Sequence, residues 1–299
     1  MLKSSTKEAL SGYAFLLPNF IGFFIFTAVP VGMSLVLAFM KWDLISGPPV
    51  FVGLSNFRHM FADEHFLKYC ANTVYLMAAI PFSMAGSLVL AIALNQKLKG
   101  VVFFRTLYFL PTISAGVAIY VLWRLIYNAE FGFANSMIAQ LGQLLNVPLH
   151  GPSWLTDVRW AKPALIIMSV WQQVGGYNMI LYLAALQGVP RELYEAADID
   201  GAHPWQKFWA ITWPTISPTT FFIVVMSVIG GFQSGFDQAY VMTGGGPNGS
   251  TTTIMYEIFN QAFLWQNMGY ACAVAWFLFV VIFVFTRVKW TLFHHYVYY

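Results

Sequence analysis

Six stretches of the chain are apolar for long enough to cross a bilayer: Gly12–Met40, Ala71–Leu94, Phe104–Trp123, Pro163–Gln187, Pro214–Phe236 and Gly269–Thr286. A helix rises 1.5 Å per residue, so about 20 residues span the ~30 Å hydrocarbon core, and each stretch predicts one spanning helix. The expected class is an all-α membrane protein with a single membrane domain over residues 12–287, a tail at 1–11 and a second tail at 288–299. Pro81 and Pro111 interrupt the second and third stretches. Gly175, Gly176, Gly230, Gly231 and Gly235 gather in and beside the fourth and fifth, where such residues let helices approach closely or bend around a cavity.

Three long connections, Lys41–Cys70, Arg124–Lys162 and Asp237–Met268, alternate with short ones. The third holds TGGGPNGSTTT, residues Thr243–Thr253, whose glycines and proline forbid a regular helix and predict a turn-rich loop; a flexible linker is the plainer reading of the same composition.

Composition agrees with the apolar pattern. Hydrophobic residues make up 59% of the 299 and charged residues only 9%, against about 25% charged in soluble domains. The first stretch exceeds the 7–15 residues of a signal-peptide core and ends at no small-residue cleavage site, which reads as an uncleaved span. Cys70 and Cys272 form neither a disulfide framework nor a metal cluster.

The net charge of +3 carries less than the placement of the cations. With the N-terminus in the cytoplasm, nine of fifteen basic residues fall on inner segments: Lys3, Lys7, Lys97, Lys99, Arg105, Arg191, Lys207, Arg287 and Lys289. Lys41, Arg58, Lys68, Arg124, Arg159 and Lys162 fall on the longer outer segments. The positive-inside bias therefore predicts both termini in the cytoplasm and Thr243–Thr253 outside.

Function is narrowed by what the spans lack. Arg105, at the edge of the third, is the one charged residue in the six stretches, whereas ion-coupled carriers need a titrating or coordinating group within the membrane. The chain has no phosphate-cradling Gly-x-x-x-x-Gly-Lys-Ser/Thr loop and no hydrolase signature. If solute moves uphill, the energy enters through another subunit.

One stretch breaks the apolar rule. LYEAADIDGAHPWQKFWAITWP, Leu193–Pro214, carries Glu195, Asp198 and Asp200, with Glu192 just before it. A helix over Arg191–Ile199, a break at Gly201 and a resumed helix over Trp205–Thr212 with Trp205, Phe208 and Trp209 on one side predict a compact projection suited to a groove on a cytoplasmic partner. An amphipathic helix lying on the membrane is the alternative, and such helices are rich in Lys and Arg, not acids.

This stretch resembles the EAA motif of the permease subunits of ABC importers, at Glu195, Ala196, Ala197, Asp200, Gly201, Ala202, Phe208, Ile211, Pro214 and Pro218, with Trp213 where Leu is commoner. FVGLSNF after the first stretch, FFRTLYFLPTISAGVAIYVLWRLIYN in the third, YLAALQGVPRELYEAADIDGA and TGGGPNGSTTT are similar to the carbohydrate branch. The resemblance implies the six-helix importer permease fold with cytoplasmic coupling helices, the EAA loop lying at about residues 188–217. It implies an inner-membrane location in a bacterium and no catalysis or cofactor in this chain, ATP and Mg belonging to partner ATPase subunits. It further implies a second, homologous permease as heterodimer partner, two ATPase subunits and an extracytoplasmic binding protein, which meets the loop around Gly244, Gly245, Gly246 and Pro247.

A sugar needs aromatic faces for its C–H surfaces and amides or hydroxyls for its ring hydroxyls. WQQVGGYN in the fourth stretch offers Trp171, Gln172, Gln173, Tyr177 and Asn178; the fifth adds Phe232, Gln233 and Asp237, and the sixth Tyr270. Polar groups also join spans by interhelical hydrogen bonds, so a purely structural role for these side chains stays open. An ABC permease for another organic solute, or a secondary carrier or facilitator, is the competing function.

Overall fold

Proline, glycine and the apolar pattern decide where the helices run and where they break. The computed structural model describes residues 4–43, 47–96, 99–114 and 116–293, so Lys3 and Lys97 of the orientation argument, and the ends of both tails, lie outside the described residues. The chain divides into two units.

The first unit holds Met1–Asp63 and Ile258–Phe277. In it α1 (Ser4–Phe23) passes through a π turn at Phe24–Ala28 into α2 (Val29–Leu37). Pro30, which has no N–H to give the preceding turn, sits just after that wide turn. No part of the most apolar window of Glu8–Leu37 is buried; so continuous an apolar surface suits lipid or a membrane partner and not water. A short antiparallel ribbon follows, β1 (Met40–Lys41) against β2 (Val50–Phe51), then α3 (Ser55–Ala62). Asn56, from FVGLSNF, donates to the Ala38 and Met40 carbonyls at 2.9 Å. Gly269 is packed so closely on this turn that a Cβ would stand 1.9 Å from the Met40 oxygen.

The second unit holds Glu64–Glu257 and Leu278–Tyr299. Its helices are α4 (Glu64–Leu76), α5 (Ala79–Leu94), α6 (Val101–Ile113), α7 (Gly116–Ile126), α8 (Phe133–Leu145), α9 (Val158–Val174), α10 (Tyr177–Gln187), α11 (Arg191–Ile199), α12 (Pro204–Lys207) and α13 (Trp213–Gln233). The short α14 (Phe236–Gln238) follows; α15 (Ile254–Phe259) starts in this unit and ends in the first, and α16 (Met268–Phe293), which closes the described chain, starts in the first and ends in this one. Helices α5, α10 and α13 meet over Ala91, Met179, Tyr182, Leu186, Ile216 and Ile223. A second cluster joins Tyr120 and Tyr127 to Ala164, Leu165 and Met168.

Among the described residues four helices are long and apolar enough to cross a membrane: Glu8–Leu37, Glu64–Leu94, Pro204–Gln233 and Met268–Val288. They correspond to the first, second, fifth and sixth expected spans. The third is not one straight helix, because α6 and α7 meet at 95°. Pro111 removes a donor in the last turn of α6, and Ser114 leaves it in an extended conformation. The fourth is α9 of 17 residues and α10 of 11, parted at Gly175–Gly176. A Cβ on Gly175 would fall 2.0 Å from the Tyr108 carbonyl oxygen. The helix breaks where its backbone lies against α6, an approach that only glycine permits.

Candidate functional site

The acid-rich stretch forms the expected pair of helices. Helix α11 ends in a Schellman motif: Ala202 N–H donates to Ala197 O at 2.9 Å and Gly201 N–H to Asp198 O at 3.1 Å, with Gly201 at φ +71°. After this bend, Gln206 and His203 close a capping box at the start of α12. The helix then runs through a π turn at Phe208–Thr212 into α13.

Glu195, Ala196, Asp200 and Gly201 are exposed, and Ala197, Ala202 and Phe208 are half-buried. Trp205, 70% exposed, stacks on Phe208 at 5.8 Å and meets Trp209 edge-on at 5.6 Å. Asp198, which the sequence left with the other acids, pairs with Lys207 across the bend. Tyr194 is hydrogen-bonded to the buried Thr212 hydroxyl at 2.7 Å, tying α11 to the root of α13. The result is a stiff knuckle whose acids and indoles face outward.

A cavity of about 600 Å³ lies among α4, α5, α6, α7, α9, α10 and α13. Gln172, Gln173, Tyr177 and Asn178, four of the side chains that the sequence offers for a sugar, line it. The sequence missed Thr73, Thr112, Tyr120, Ser169, Ser227, Ser234 and Gln238, which, with Thr253 of the loop, complete its polar lining among the described residues. They are single hydroxyls and an amide scattered through apolar runs, and only the helix break and the helix packing bring them together.

Among the described residues no Asp, Glu, Lys, Arg or His side chain lines the cavity. Part of its polar wall is already engaged. Gln173 Oε1 accepts from Ser83 at 3.3 Å, Gln238 Nε2 donates to Ser169 at 3.0 Å, and Asn178 Nδ2 reaches Ser227 at 3.5 Å. Gln172 and Tyr177 have no side-chain hydrogen bond among the described residues; Tyr177 is 66% exposed and packs edge-on against Phe109 at 5.6 Å. The cavity also meets the first turn of α10, which has no side-chain cap, so its leading N–H groups are available as donors.

Other expected pathway residues lie elsewhere. Trp171 turns to a separate aromatic cavity of about 370 Å³ with Trp123, Tyr127 and Trp154. Phe232 is buried and faces Phe285 at 6.1 Å. Gln233 and Asp237 flank the cavity residues Ser234, Gly235 and Gln238 in sequence without lining the cavity themselves. Tyr270 belongs to the first unit, 2% exposed against His59 at 5.3 Å. A side chain in or beside an apolar run does not reveal which helix face it occupies, and these five fall on other faces or in the other unit.

The loop Thr243–Thr253 is no free linker. Gly244 and Asn248 are exposed, Gly246 and Pro247 half-buried, and Gly245 and Ser250–Thr253 buried. Thr243 and Thr251 share a hydrogen bond of 2.6 Å, and Thr251 donates to Gly246 O at 2.8 Å. Gly245, at φ +81°, has no room for a side chain, because a Cβ would lie 2.6 Å from Thr252 Oγ1. Tyr256 packs beneath it, and burial, with Tyr240 nearby, pushes its phenol above the usual tyrosine range.

A family profile described as binding-protein-dependent transport system inner membrane component matches residues 71–289. The probable ABC transporter permease protein YesP of Bacillus subtilis (strain 168) is 36% identical over 302 residues, covering 99% of this chain and 94% of YesP. The lactose transport system permease protein LacF of Rhizobium radiobacter is 34% identical, covering 94% of this chain and 93% of its own length. A chain in the crystal structure of a bacterial alginate ABC transporter, in complex with an alginate pentasaccharide-bound periplasmic protein, superposes with a TM-score of 0.81. It is 25% identical and covers 95% of this chain and 94% of that one.

Proposed function

The chain belongs to the family of binding-protein-dependent transport system inner membrane components, and from that premise we propose that it is one permease subunit of an ATP-driven importer for a sugar, oligosaccharide or related polyol. The observation that carries this reading is the uncharged cavity. Amides, hydroxyls and a tyrosine face roughly 600 Å³ of space, the chemistry that a polyhydroxylated solute needs where water is scarce. Gln172 and Tyr177 make the first contacts, and Gln173, Asn178 and Gln238 hold the wall in register. Relatives named for lactose and alginate transport support a glycan cargo.

In this reading all six apolar stretches span the membrane, the third as a bent pair and the fourth as two half-helices, with both termini in the cytoplasm. A second homologous permease completes the pathway. Two ATPase subunits supply ATP and Mg, and the knuckle of residues 191–213 seats in one of them. Its path to the cavity is covalent and short. Helix α11 follows α10, whose first turn lines the cavity, and the π turn after α12 leads into α13, which lines the adjoining wall. A shift of the knuckle as the ATPases close therefore moves both walls. An extracytoplasmic binding protein delivers the sugar to the loop around Gly244 and Pro247.

The test is purification of the chain with its native partners, followed by reconstitution in lipid. An ATPase and a second permease should co-purify, and ATP hydrolysis should rise when sugar-loaded binding protein is added. Uptake by the chain alone, with no ATPase bound, would establish a facilitator instead.

A further inference from the structure

The loop Thr243–Thr253 is joined to α4 by contacts that neither the cavity nor the knuckle uses. Asn72 is 1% exposed, and its Nδ2 donates to Gly249 O at 2.9 Å and Thr252 O at 2.8 Å, across some 180 positions of sequence. The next residue, Thr73, accepts from the Ile254 N–H at 3.0 Å and itself donates to Tyr69 O at 2.9 Å. One turn earlier, Lys68 Nζ donates to Asn248 O at 2.5 Å. The loop is thus held at three of its backbone carbonyls and at the amide that follows it, all by a single face of α4. Thr73 and Thr253, on the two sides of this seam, both line the cavity. Only Gly244 and Asn248 at the tip are fully exposed.

We propose that Asn72 is a positioning residue that makes the loop and the end of α4 one rigid body, so that a binding protein pressing on the Gly244–Asn248 tip moves the cavity wall at Thr73 and Thr253. The inference rests on the importer reading and adds to it the route by which docking outside reaches the cavity. Amide-to-carbonyl bonds suit this role. Both Nδ2 hydrogens are committed, Asn72 is itself buried, and removing the amide strands the buried Thr252 carbonyl and the half-buried Gly249 carbonyl. A hydrogen-bonded seam of this kind transmits displacement; an unanchored glycine-rich loop would absorb it.

The test uses the reconstituted complex with all its subunits, in a background of Cys70→Ser and Cys272→Ala. Asn72→Ala should assemble with normal basal ATP hydrolysis yet lose about tenfold of its stimulation by loaded binding protein, the loss expected for one such buried anchor. Lys68→Cys with Asn248→Cys, joined by a short reducible bis-thiol reagent, should leave stimulation intact in the parent, because loop and helix never part. The same bridge introduced into Asn72→Ala should restore stimulation, and reductant should abolish it again. A bridge that blocks the parent would overturn the proposal, since the loop would then have to leave α4 during transport. A bridge that fails to rescue an assembled Asn72→Ala complex would overturn it as well. If Asn72→Ala does not assemble, the bridged parent alone decides. Failure of the importer reading looks different: the unmodified parent itself would show no stimulation.

Discussion

The knuckle at 191–213 and the loop at 243–253 are both rich in residues that usually mark connectors, yet they are built in opposite ways. The knuckle takes its form from local bonds: a Schellman turn, a capping box, an ion pair nine residues apart and a cluster of aromatic rings in which Trp205 stacks on Phe208. Its acids and Trp205 stay at the surface. The loop has local bonds too, Thr243 to Thr251 and Thr251 to Gly246, but it is tied in addition to α4, a helix some 180 residues away, and it hides Thr251, Thr252 and Thr253. An element that holds its shape without a partner is fit to be gripped by one. An element whose shape is set by the bundle is fit to report to the bundle.

The sharpest way to break the contrast is labelling, where the expected result is all or none. In a cysteine-free background, Gln206→Cys on the knuckle should react with an impermeant thiol reagent only from the cytoplasmic side, and Asn248→Cys on the loop tip only from the outside. Ser250→Cys, two residues along but 3% exposed, should react from neither. Labelling of Asn248→Cys and Gln206→Cys from the same face would end the orientation drawn from the basic residues. Ready labelling of Ser250→Cys would show that the loop is a loose linker after all.

Glycine substitution separates the two regions by the kind of damage. Gly201 and Gly245 both sit at positive φ, +71° and +81°, where a β-branched residue is strained by about 1–3 kcal/mol. Around Gly201 nothing lies within 4 Å, whereas at Gly245 a new Cβ would also overlap Thr252 and Tyr256. Gly245→Val should therefore cost about 2–5 kcal/mol, strain and overpacking together, and reduce the amount of folded protein in the membrane. Gly201→Val should leave that amount unchanged and lower ATPase retention and coupled uptake. Equal membrane levels for the two variants would mean that the loop is not built into the bundle.

The knuckle was legible before any coordinates because its determinants are local. The helix over Arg191–Ile199, the break at Gly201 and the aromatic face at Trp205, Phe208 and Trp209 all follow from neighbours in sequence, and the helix bounds are those of α11. The loop was legible only as turn-forming, since Asn72 and Thr73 carry no sign in the sequence of where their partners lie. The cavity falls between these cases. WQQVGGYN stands out by its density of amides and glycines, and five of its residues line the space, but Trp171 turns away. Spans read as single helices failed at Gly175–Gly176 and after Pro111, where backbone contact and a lost donor outweigh hydrophobic length.

The cavity sharpens the contrast because the loop reaches it through Thr253 while the knuckle reaches it only along helices. Gln172→Ala and Tyr177→Ala remove side chains with no hydrogen bond to the protein among the described residues, so folding and ATPase attachment should be unaffected. A lost bond to a buried sugar hydroxyl costs about 1–3 kcal/mol, roughly 5- to 150-fold in uptake. Uptake measured beside thermal stability checks both halves of the claim. Unchanged uptake in both variants would place the sugar contacts on the partner permease. Gln238→Ala should differ in kind, lowering stability as well, because its amide holds Ser169.

The smallest effect is expected at the ion pair inside the knuckle. Lys207 is largely covered, its side chain 17% exposed, but Asp198 is 68% exposed, so water screens the attraction and supplies substitutes for either partner. Pairs of this kind contribute about 0–1 kcal/mol. The Schellman bonds that shape the bend use only backbone atoms and remain when the side chain changes. Asp198→Asn keeps an oxygen for the Lys207 ammonium and removes only the charge, so ATPase retention and coupled uptake should fall by less than about fivefold, as the upper end of that range allows. Co-purification of the ATPase at low and high salt checks this directly. A large loss at both salt concentrations would mean that Asp198 is itself gripped by the partner, and the knuckle would then no longer be the locally determined element that distinguishes it from the loop.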